Sequence, residues 1–418
     1  MRHLYSLALP AVLAATAAMP AAANDAATLR QLKAQMAQMQ AQIEAMEARL
    51  QEQEVQQKEV VTQVEKVQKK DEALAKAVQV YGQANVSVDH RAGDWADGED
   101  GTAINSNASR IGIKGELATS LPSIDLIYQA EVRYETTDYV NGGPGSNAES
   151  GGARQVEFRE AFAGLKGANW GRLRLGRLNT GYKETGTTID PWTDNAPEAR
   201  SGGRQGMSEL HASYFNNAAD YLSPKFFGGL RGNVWYATQF EDSDKPIHNT
   251  GVLRNYRAGN AGGVGLKYDD GTIFFGADWL EIEADRISRS ALENGNAWQV
   301  AGRYKFGPFF GDQTFSLSAF YEDADSLGLG RNLYFNGIYG IDRFRIIGAY
   351  GQNRDGAVYG RIVDGVLYDR DWDNWSLGVK YALTDRSELL AAWNQRIDNT
   401  DNQDFNTFTV GVNAKFGY

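Results

Sequence analysis

A strict alternation of apolar and polar side chains runs through the last twelve residues, Thr407 to Tyr418, and constrains the fold more than any other feature. One phase of this segment is apolar and ends on an aromatic residue: Phe408, Val410, Val412, Ala414, Phe416 and Tyr418. The other phase holds Thr409, Gly411, Asn413, Lys415 and Gly417. Because successive side chains of a strand point to opposite faces, the segment predicts a β-strand with one apolar and one hydrated face.

The same alternation recurs from Val80 onward, in segments of the ~9 to 11 residues with which a tilted strand crosses a bilayer. In one of them Ile111, Ile113 and Leu117 alternate with Arg110, Lys114 and Glu116. In another, Trp298, Val300, Tyr304 and Phe306 alternate with Gln299, Arg303 and Lys305. The core of a soluble sandwich could not accept the charged phase, whereas a water-filled lumen requires it.

Sixteen such segments predict an all-β transmembrane barrel of about 16 antiparallel strands, an even number as in bacterial barrels. They lie near residues 80–90, 109–119, 124–137, 155–166, 170–179, 213–223, 229–240, 262–269, 272–283, 296–306, 313–323, 332–340, 343–353, 373–383, 386–396 and 407–418. Short turns alternate with long Gly- and Asp-rich loops such as 91–108, 137–154 and 241–261. Short turns are typical of the periplasmic rim and long loops of the cell exterior. The acidic stretch 369–373 is predicted to be another external loop.

Two segments precede the barrel, and the first, residues 1–23, is predicted to be a signal peptide. Arg2 and His3 precede an apolar run from Leu4 to Met19, and three alanines at 21–23 supply the small-residue cleavage pattern. We therefore expect the mature chain to begin near Asn24. No later segment offers the ~20 consecutive apolar residues of a spanning helix.

The second segment, residues 24–78, is predicted to form an α-helical coiled coil. Its heptad core positions are Leu29, Leu32, Met36, Met39, Ile43, Met46, Leu50, Gln53, Gln57, Val60, Val64, Val67, Asp71 and Leu74. The pattern persists beyond the three to four heptads that a coiled coil requires, although a solvated amphipathic helix is the alternative. Because the helix leads into a first strand that rises from the short-turn side, we expect it in the periplasm. The number of helices in the coil is left open.

Composition excludes several classes of protein. The chain has no cysteine, so no disulfide can form, and its net charge of −11 argues against nucleic acid as a partner. Only His90, His211 and His248 follow the predicted signal peptide, and none has a companion at metal-ligand spacing. We therefore expect no metal site, no cofactor and no enzymatic activity.

Four motifs of the barrel region, residues 79–418, resemble the general Gram-negative trimeric porins. They are Ser109–Gly115 (SRIGIKG), Arg159–Gly167 (REAFAGLKG), Trp170–Arg177 (WGRLRLGR) and Tyr221–Pro224 (YLSP). The resemblance implies a sixteen-stranded barrel that assembles as a homotrimer, with its third external loop folded inward to narrow the pore. The long gap 181–212 follows the fifth strand, where that loop belongs.

The chain departs from the family at two places. The stretch Tyr214–Tyr221 lacks an arginine that the family often has nearby, so one wall arginine is absent. Tyr418 replaces the commoner terminal phenylalanine. We still expect the C-terminal strand 407–418 to be recognised by the barrel-assembly machinery, because Tyr remains an outward aromatic residue.

A transverse electric field across the pore is the mechanism that the resemblance suggests. The acidic side of this field is assigned to the constriction loop, with Glu184, Asp190, Asp194 and Glu198. The basic side is assigned to the wall, with Arg110, Lys114, Arg159, Arg172, Arg174 and Arg177. Strict alternation places Arg177 outward with the leucines of its strand, so a lumenal position would need a bulge or a strand end. For each cation the alternative is a solvated charge at a strand end.

These observations predict a porin of the cell outer membrane that allows passive diffusion of ions and small hydrophilic solutes. A substrate-selective porin for phosphate or organic anions is the nearest alternative, and a structural tether is a more remote one. An outer-membrane hydrolase is a further alternative, for which His211, near Ser208 and Ser213, is the only candidate. The expected partners are lipid and lipopolysaccharide, with the coiled coil as a candidate contact to peptidoglycan.

Overall fold

The structure is a computed structural model that describes residues 25–93, 100–134, 136, 156–200, 205–212, 214–238, 257–285, 294–309, 311–363, 366–399 and 404–417. Two compact units divide at the boundary between Glu72 and Ala73. The predicted signal peptide, the predicted loop 137–154, Ser213 and Tyr418 lie outside the described residues.

A long helix, α1 (Asp25–Ala77), precedes the barrel. Its sequence is rich in Ala, Gln, Glu and Lys and has no Gly or Pro, which favours a long uninterrupted helix. Every side chain from 29 to 66 is exposed in the single chain, including the apolar residues of the predicted heptad core. The helix is therefore confirmed, whereas the coiled coil stays a prediction. In the described part of the chain, no helix has both the length and the apolar character needed to cross a membrane.

Sixteen antiparallel strands form the second unit, and the second strand consists of two segments. They are β1 (Gln79–Gly93), β2 (Gly101–Ser106 and Arg110–Ala118), β3 (Asp125–Tyr134), β4 (Val156–Gly167), β5 (Gly171–Leu178), β6 (Phe215–Leu222), β7 (Leu230–Thr238), β8 (Arg257–Asp269), β9 (Ile273–Asp285), β10 (Gly295–Phe306), β11 (Thr314–Asp323), β12 (Arg331–Ile341), β13 (Phe344–Val363), β14 (Val366–Thr384), β15 (Ser387–Asp398) and β16 (Phe405–Phe416).

The sheet closes on itself between its first and last strands. β1 pairs with β16 from Gly82↔Phe416 to Gly93↔Phe405, and its other edge pairs with both segments of β2. The two segments of β2 are separated at 107–109, where Ala108 has φ +54°. The side chain of Ser109 satisfies the backbone groups of β1 at this interruption. Its Oγ accepts a hydrogen bond from Asn85 N at 3.0 Å and donates one to Asn85 O at 3.1 Å. The predicted closed barrel of sixteen strands is confirmed.

Side chains alternate between the two faces of the wall as predicted. On β16, Phe408 and Val410 point outward and are 53% and 63% exposed in the single chain, whereas Thr409 and Asn413 are buried inside. On β10, Trp298 and Tyr304 are exposed while Gln299 is buried. An apolar outer face and a polar inner face follow from the period of two.

Two predicted loops are partly strand. The predicted loop 91–108 contains the end of β1 and the first segment of β2, and Arg257 to Ala261 belong to β8 rather than to the predicted loop 241–261. The stretch 369–373, predicted to be an acidic external loop, lies within β14. There β13 and β14 continue their pairing as far as Val363↔Val366. The prediction limits each strand to the length that crosses a bilayer. It therefore ends a strand too early where the hairpin extends beyond the bilayer.

The segment between β5 and β6 folds into the barrel, as the predicted constriction loop should. It begins with helix α2 (Gly181–Ile189) and ends in a single 3₁₀ turn at Glu209–His211. Its apolar side chains pack on inward-facing apolar residues of the wall, in one cluster that contains Ile189, Trp192 and Met207 with Phe274, Phe320 and Tyr334. Burial of these large side chains holds the segment against the inner wall.

Candidate pore constriction

The buried carboxylate of Glu322, on β11, is the main polar anchor of the inward loop. Its Oε1 accepts from Tyr182 Oη at 2.8 Å and from Ser208 Oγ at 2.8 Å, and its Oε2 accepts from Ser208 N at 2.9 Å. Asn332 Nδ2 of β12 donates to Oε2 at 3.0 Å, and His211 Nε2 lies 3.3 Å from Oε1. These contacts join both ends of the loop to the wall, since Tyr182 begins it and His211 ends it. A buried carboxylate is tolerated only with such a set of donors.

Sequence reasoning missed Glu322. Nothing distinguishes its inward position on β11 from the other polar inward positions along the wall, so no local signal could have identified it. Burial of Tyr182, together with the neighbouring Glu322, raises the pKa of the Tyr182 hydroxyl well above its usual value. This hydroxyl therefore remains a hydrogen-bond donor throughout the physiological pH range.

Asp194 provides the second anchor, at the centre of the loop. Its Oδ2 lies 2.8 Å from Arg110 Nη1 of β2, and its Oδ1 lies 2.9 Å from Arg200 Nη2 of the loop itself. Its backbone carbonyl accepts from Asn85 Nδ2 of β1 at 2.8 Å. Burial acts to raise the pKa of Asp194, but the attraction of Arg110, Arg200 and Arg159 outweighs it and lowers the pKa below 3.8. Asp194 and Arg110 are in direct contact and do not face each other across open water.

The other three predicted acidic residues have separate environments. Asp190 organises the loop backbone, because Oδ1 accepts from Trp192 N and Oδ2 from Ala199 N, each at 2.9 Å. Burial raises the pKa of Asp190, and these hydrogen bonds offset that effect only in part. Glu198 Oε2 accepts from Arg200 Nε at 3.0 Å and from Asp194 N at 2.8 Å. Glu184 is the most exposed of the four and lies 3.4 Å from Lys267 Nζ.

The predicted wall cations fall into two groups, and the first surrounds Tyr214. Arg159, Arg177 and Lys183 place their cationic groups 5.4, 5.2 and 3.7 Å from the centroid of the Tyr214 ring. Such distances permit cation–π attraction. Arg159 Nε also lies 2.7 Å from Glu131 Oε1. Tyr214, the first residue of the stretch Tyr214–Tyr221, thus lies among three cationic side chains.

Two irregular pairings lie beside these arginines. Opposite Glu131 of β3, β4 inserts Arg159 and Glu160 as a bulge. Opposite Arg177, β6 inserts Asn216 and Asn217, and Asn217 has φ +52°. Arg177 Nη1 donates to Asn216 Oδ1 at 2.7 Å. A bulge of the neighbouring strand β6 therefore lies beside Arg177, one residue before the end of β5. The lumenal position of Arg177 stays a prediction.

The second group lies closer to the short turns of the barrel. Arg174 is buried, with Nη1 2.7 Å from Glu160 Oε1 and Nε 2.9 Å from Asp220 Oδ1. Arg172 Nη2 is 3.9 Å from the same Asp220, and Lys114 Nζ lies 4.7 Å from the centroid of the Tyr81 ring. Arg174 is therefore neutralised within the wall.

The end of the barrel formed by the short turns 119–124, 168–170, 270–272, 342–343 and 385–386 is called the foot here. A recess of about 630 Å³ at the foot, called the foot recess, contains Glu116 in its lining together with six cationic residues. These are Lys76, Lys114, Lys166, Arg172, Lys225 and Arg231.

A second space at the foot, of about 670 Å³, extends up to the loop and to Arg110. Its lining also includes five further basic residues: Arg343, Arg345, Lys380, Arg386 and Lys415. Acidic residues offset them in part: Asp194, Asp342, Asp385 and Glu388. Cationic side chains therefore outnumber carboxylates around both spaces. Over the described ranges, no group of three or more His, Cys, Asp or Glu side chains is arranged to hold a metal ion.

Comparison with known proteins gives a consistent result. A family model described as Gram-negative porin matches residues 10–417. An outer membrane porin protein of Bordetella pertussis is 24% identical over 335 residues, which cover 74% of this chain and 82% of that protein. An anion-selective porin from Comamonas acidovorans has a similar structure, with a TM-score of 0.56 at 16% identity over 81% of this chain and 99% of that one. OmpT of Vibrio cholerae, solved in a trimer form, gives a TM-score of 0.52 at 13% identity over the same two shares.

Removal of the Glu322 carboxylate should release the loop. In Glu322→Ala the hydroxyl of Tyr182 and the amide of Ser208 lose their buried acceptor, and docking of the loop should weaken by about 3 to 5 kcal/mol. The measurement is tryptic cleavage after Lys183 or Arg200 in the folded, heat-modifiable protein. Glu283→Ala, which removes an exposed carboxylate, is the control and should remain protected. Equal protection of both variants would contradict the assigned anchor.

The contribution of Asp194 should depend on pH in a defined direction. Since its pKa is lowered on folding, its stabilising effect is complete above the unfolded value of 3.8 and is lost as pH falls through the folded value. Asp194→Asn should therefore be more sensitive to an acid-stable protease than the native protein from pH 4 to 7, with the difference narrowing at lower pH. A difference that appears only below pH 3.8 would contradict this account.

Proposed function

Because the chain belongs to the Gram-negative porin family and is an outer-membrane porin, we propose that it forms a homotrimeric passive channel with a preference for small anions. The observation that carries this proposal is the excess of cationic side chains over carboxylates around the two spaces at the foot. Carboxylates of the loop are engaged by Arg110, Arg200 and Lys267. The cations at the foot outnumber the carboxylates beside them.

The charge balance alters the expected transverse field. An acidic loop would favour cations only if its carboxylates faced the permeating ion, but Asp190 binds backbone amides of its own loop. Asp194 and Glu198 share Arg200 at 2.9 and 3.0 Å. Fixed charges in a narrow, low-dielectric passage raise the local concentration of the oppositely charged ion. The surplus of cations at the foot therefore favours chloride and small organic anions.

The candidate wall residues contribute unequally to this proposal. Arg110 pairs with Asp194 of the loop, Arg159 pairs with Glu131 of the wall, and Arg174 is neutralised within the wall. Lys114 and Arg172 border the foot recess and act on permeating ions directly. Arg177 supports Tyr214 and thereby the end of the loop. The anion-selective Comamonas porin shares the fold, and its selectivity is a property of that protein, so the charge arrangement of this chain carries the argument.

Homotrimeric assembly is supported by the exposed apolar seam of α1 and by the trimer form of the Vibrio protein. A coiled coil of three copies would bury the heptad core that a single chain leaves exposed. The foot faces the periplasm, since short turns do so in barrels of this kind, and α1 then lies in the periplasm. Assembly through the C-terminal strand and contact with peptidoglycan belong to the same proposal.

A hydrolase is less consistent with the geometry. The hydroxyl of Ser208 donates to Glu322, and the ring of His211 is fully buried, 5.3 Å from the ring centroids of both Tyr182 and Phe320. A nucleophile needs a neighbouring base and access to substrate. The two side chains act here as anchors of the loop. We therefore propose a channel without catalytic activity.

The reversal potential of single channels in a potassium chloride gradient tests the anion preference. It should have the sign of chloride permeation, because the foot carries the cationic surplus. Arg343→Gln/Lys415→Gln should move it toward zero by reducing that surplus, whereas Arg30→Gln/Lys33→Gln in α1 makes the same charge change outside the barrel and should not. A cation-selective native channel would refute the preference.

The role of α1 in assembly can be tested at its seam. Ile43→Lys places a charge at a heptad core position and should lower the temperature at which folded trimers dissociate, because burial of a charge in a coiled-coil seam is costly. Ala48→Lys, at an outward position of the same heptad, is the matched control. The measurement is the oligomer mass in detergent by light scattering during heating. Equal dissociation temperatures would refute the coiled-coil proposal.

A further inference from the structure

The foot recess collects cations from six different positions along the chain. Lys76 comes from the last turn of α1, Lys114 from β2, Lys166 from β4 and Arg172 from β5, and Lys225 and Arg231 flank the start of β7. Ile127 and Phe162 add apolar surface to the same space. Its volume of about 630 Å³ is within the range of ~300 to 1,000 Å³ found for sites that bind small molecules.

Carboxylates compensate these cations only in part. Glu116 lies 2.7 Å from Lys166 Nζ and is the single acidic residue of the lining. Arg172 reaches Asp220 only at 3.9 Å, and that carboxylate already accepts from Arg174 Nε at 2.9 Å. Among the described residues, no carboxylate lies within 4.0 Å of Lys225 or Arg231. The recess therefore retains positive charge that an anion could neutralise.

The recess is separate from the constriction. Lys114 lies four residues from Arg110 along β2, which corresponds to roughly 13 Å at ~3.3 Å per residue. The anchors of the loop, at Glu322 and Asp194, do not line the recess. An anion could therefore occupy the recess without contacting the loop.

We propose that the foot recess is a binding subsite for oxyanions with two or more charged groups, such as a di- or triphosphate. This inference deepens the proposed anion preference and rests on it. One exposed ion pair is weak and is screened by salt, so chloride or a single charged group gains little there. An oxyanion with several charged groups can engage several of the six cations at once, and charge-assisted hydrogen bonds to Lys and Arg add up.

Inhibition of the open-channel current by tripolyphosphate tests the subsite. The sodium salts of tripolyphosphate and orthophosphate are compared at constant ionic strength on the full mature protein in planar bilayers. Tripolyphosphate should reduce the current at a concentration about tenfold lower than orthophosphate, because it makes several contacts in place of one. In Lys225→Gln/Arg231→Gln this difference should disappear. Equal effects of the two anions on the native channel would overturn the proposal.

A matched pair of variants separates the subsite from general anion preference. Arg343→Gln/Lys415→Gln removes the same charge from the other side of the foot, so it should retain the tenfold difference while its chloride preference falls. Persistence of the difference in Lys225→Gln/Arg231→Gln would overturn the subsite alone. A native reversal potential of cationic sign would overturn the anion preference alone. If Lys225→Gln/Arg231→Gln does not assemble, Lys166→Gln/Lys225→Gln replaces it, with the same expected loss.

Discussion

Closure of the backbone hydrogen-bond ladder is the constraint on which the rest of the molecule depends. A strand edge cannot remain unpaired in lipid, so β1 must meet β16, and the other strands must tilt and pair to allow it. The chain then has an inner wall whose polar groups need water, salt bridges or another segment of protein. The inward loop supplies such a segment, and it covers the inward-facing Phe274, Phe320 and Glu322 at once. Closure of the barrel thus pairs the backbone groups of the strand edges, and the inward loop provides hydrogen-bond partners for polar groups of the inner wall such as Glu322.

The sequence was sufficient for the barrel because a period of two is a global signal. It located all sixteen strands and placed Phe408, Trp298 and Ile111 on the outer face. It failed where geometry departs from that period. The interruption of β2 at Ala108, the bulge opposite Arg177 and the extension of β14 to Val366 each depend on pairing between strands, which no single segment encodes.

The contacts among the candidate site residues could not be predicted from the sequence. Charge and position were enough to select Arg110 and Asp194, yet they could not show that the two form an ion pair. Nor could they show that Asp190 accepts hydrogen bonds from amides of its own loop. Glu322 carried no signal, because its importance comes from residues more than a hundred positions away, Tyr182 and Ser208. Such long-range polar contacts are decided only when the loop packs.

The pairing of charges, as well as their number, determines what a permeating ion experiences. A carboxylate held by two guanidinium groups, as Asp194 is by Arg110 and Arg200, offers little attraction to a passing cation. At the foot, cationic side chains outnumber the carboxylates beside them, so positive charge remains that can attract an anion. A channel must also release what it attracts, so these cations serve permeation only while each contact is weak. Several weak contacts within one recess would hold a multiply charged anion longer than chloride, and the same residues can therefore both conduct one solute and retain another.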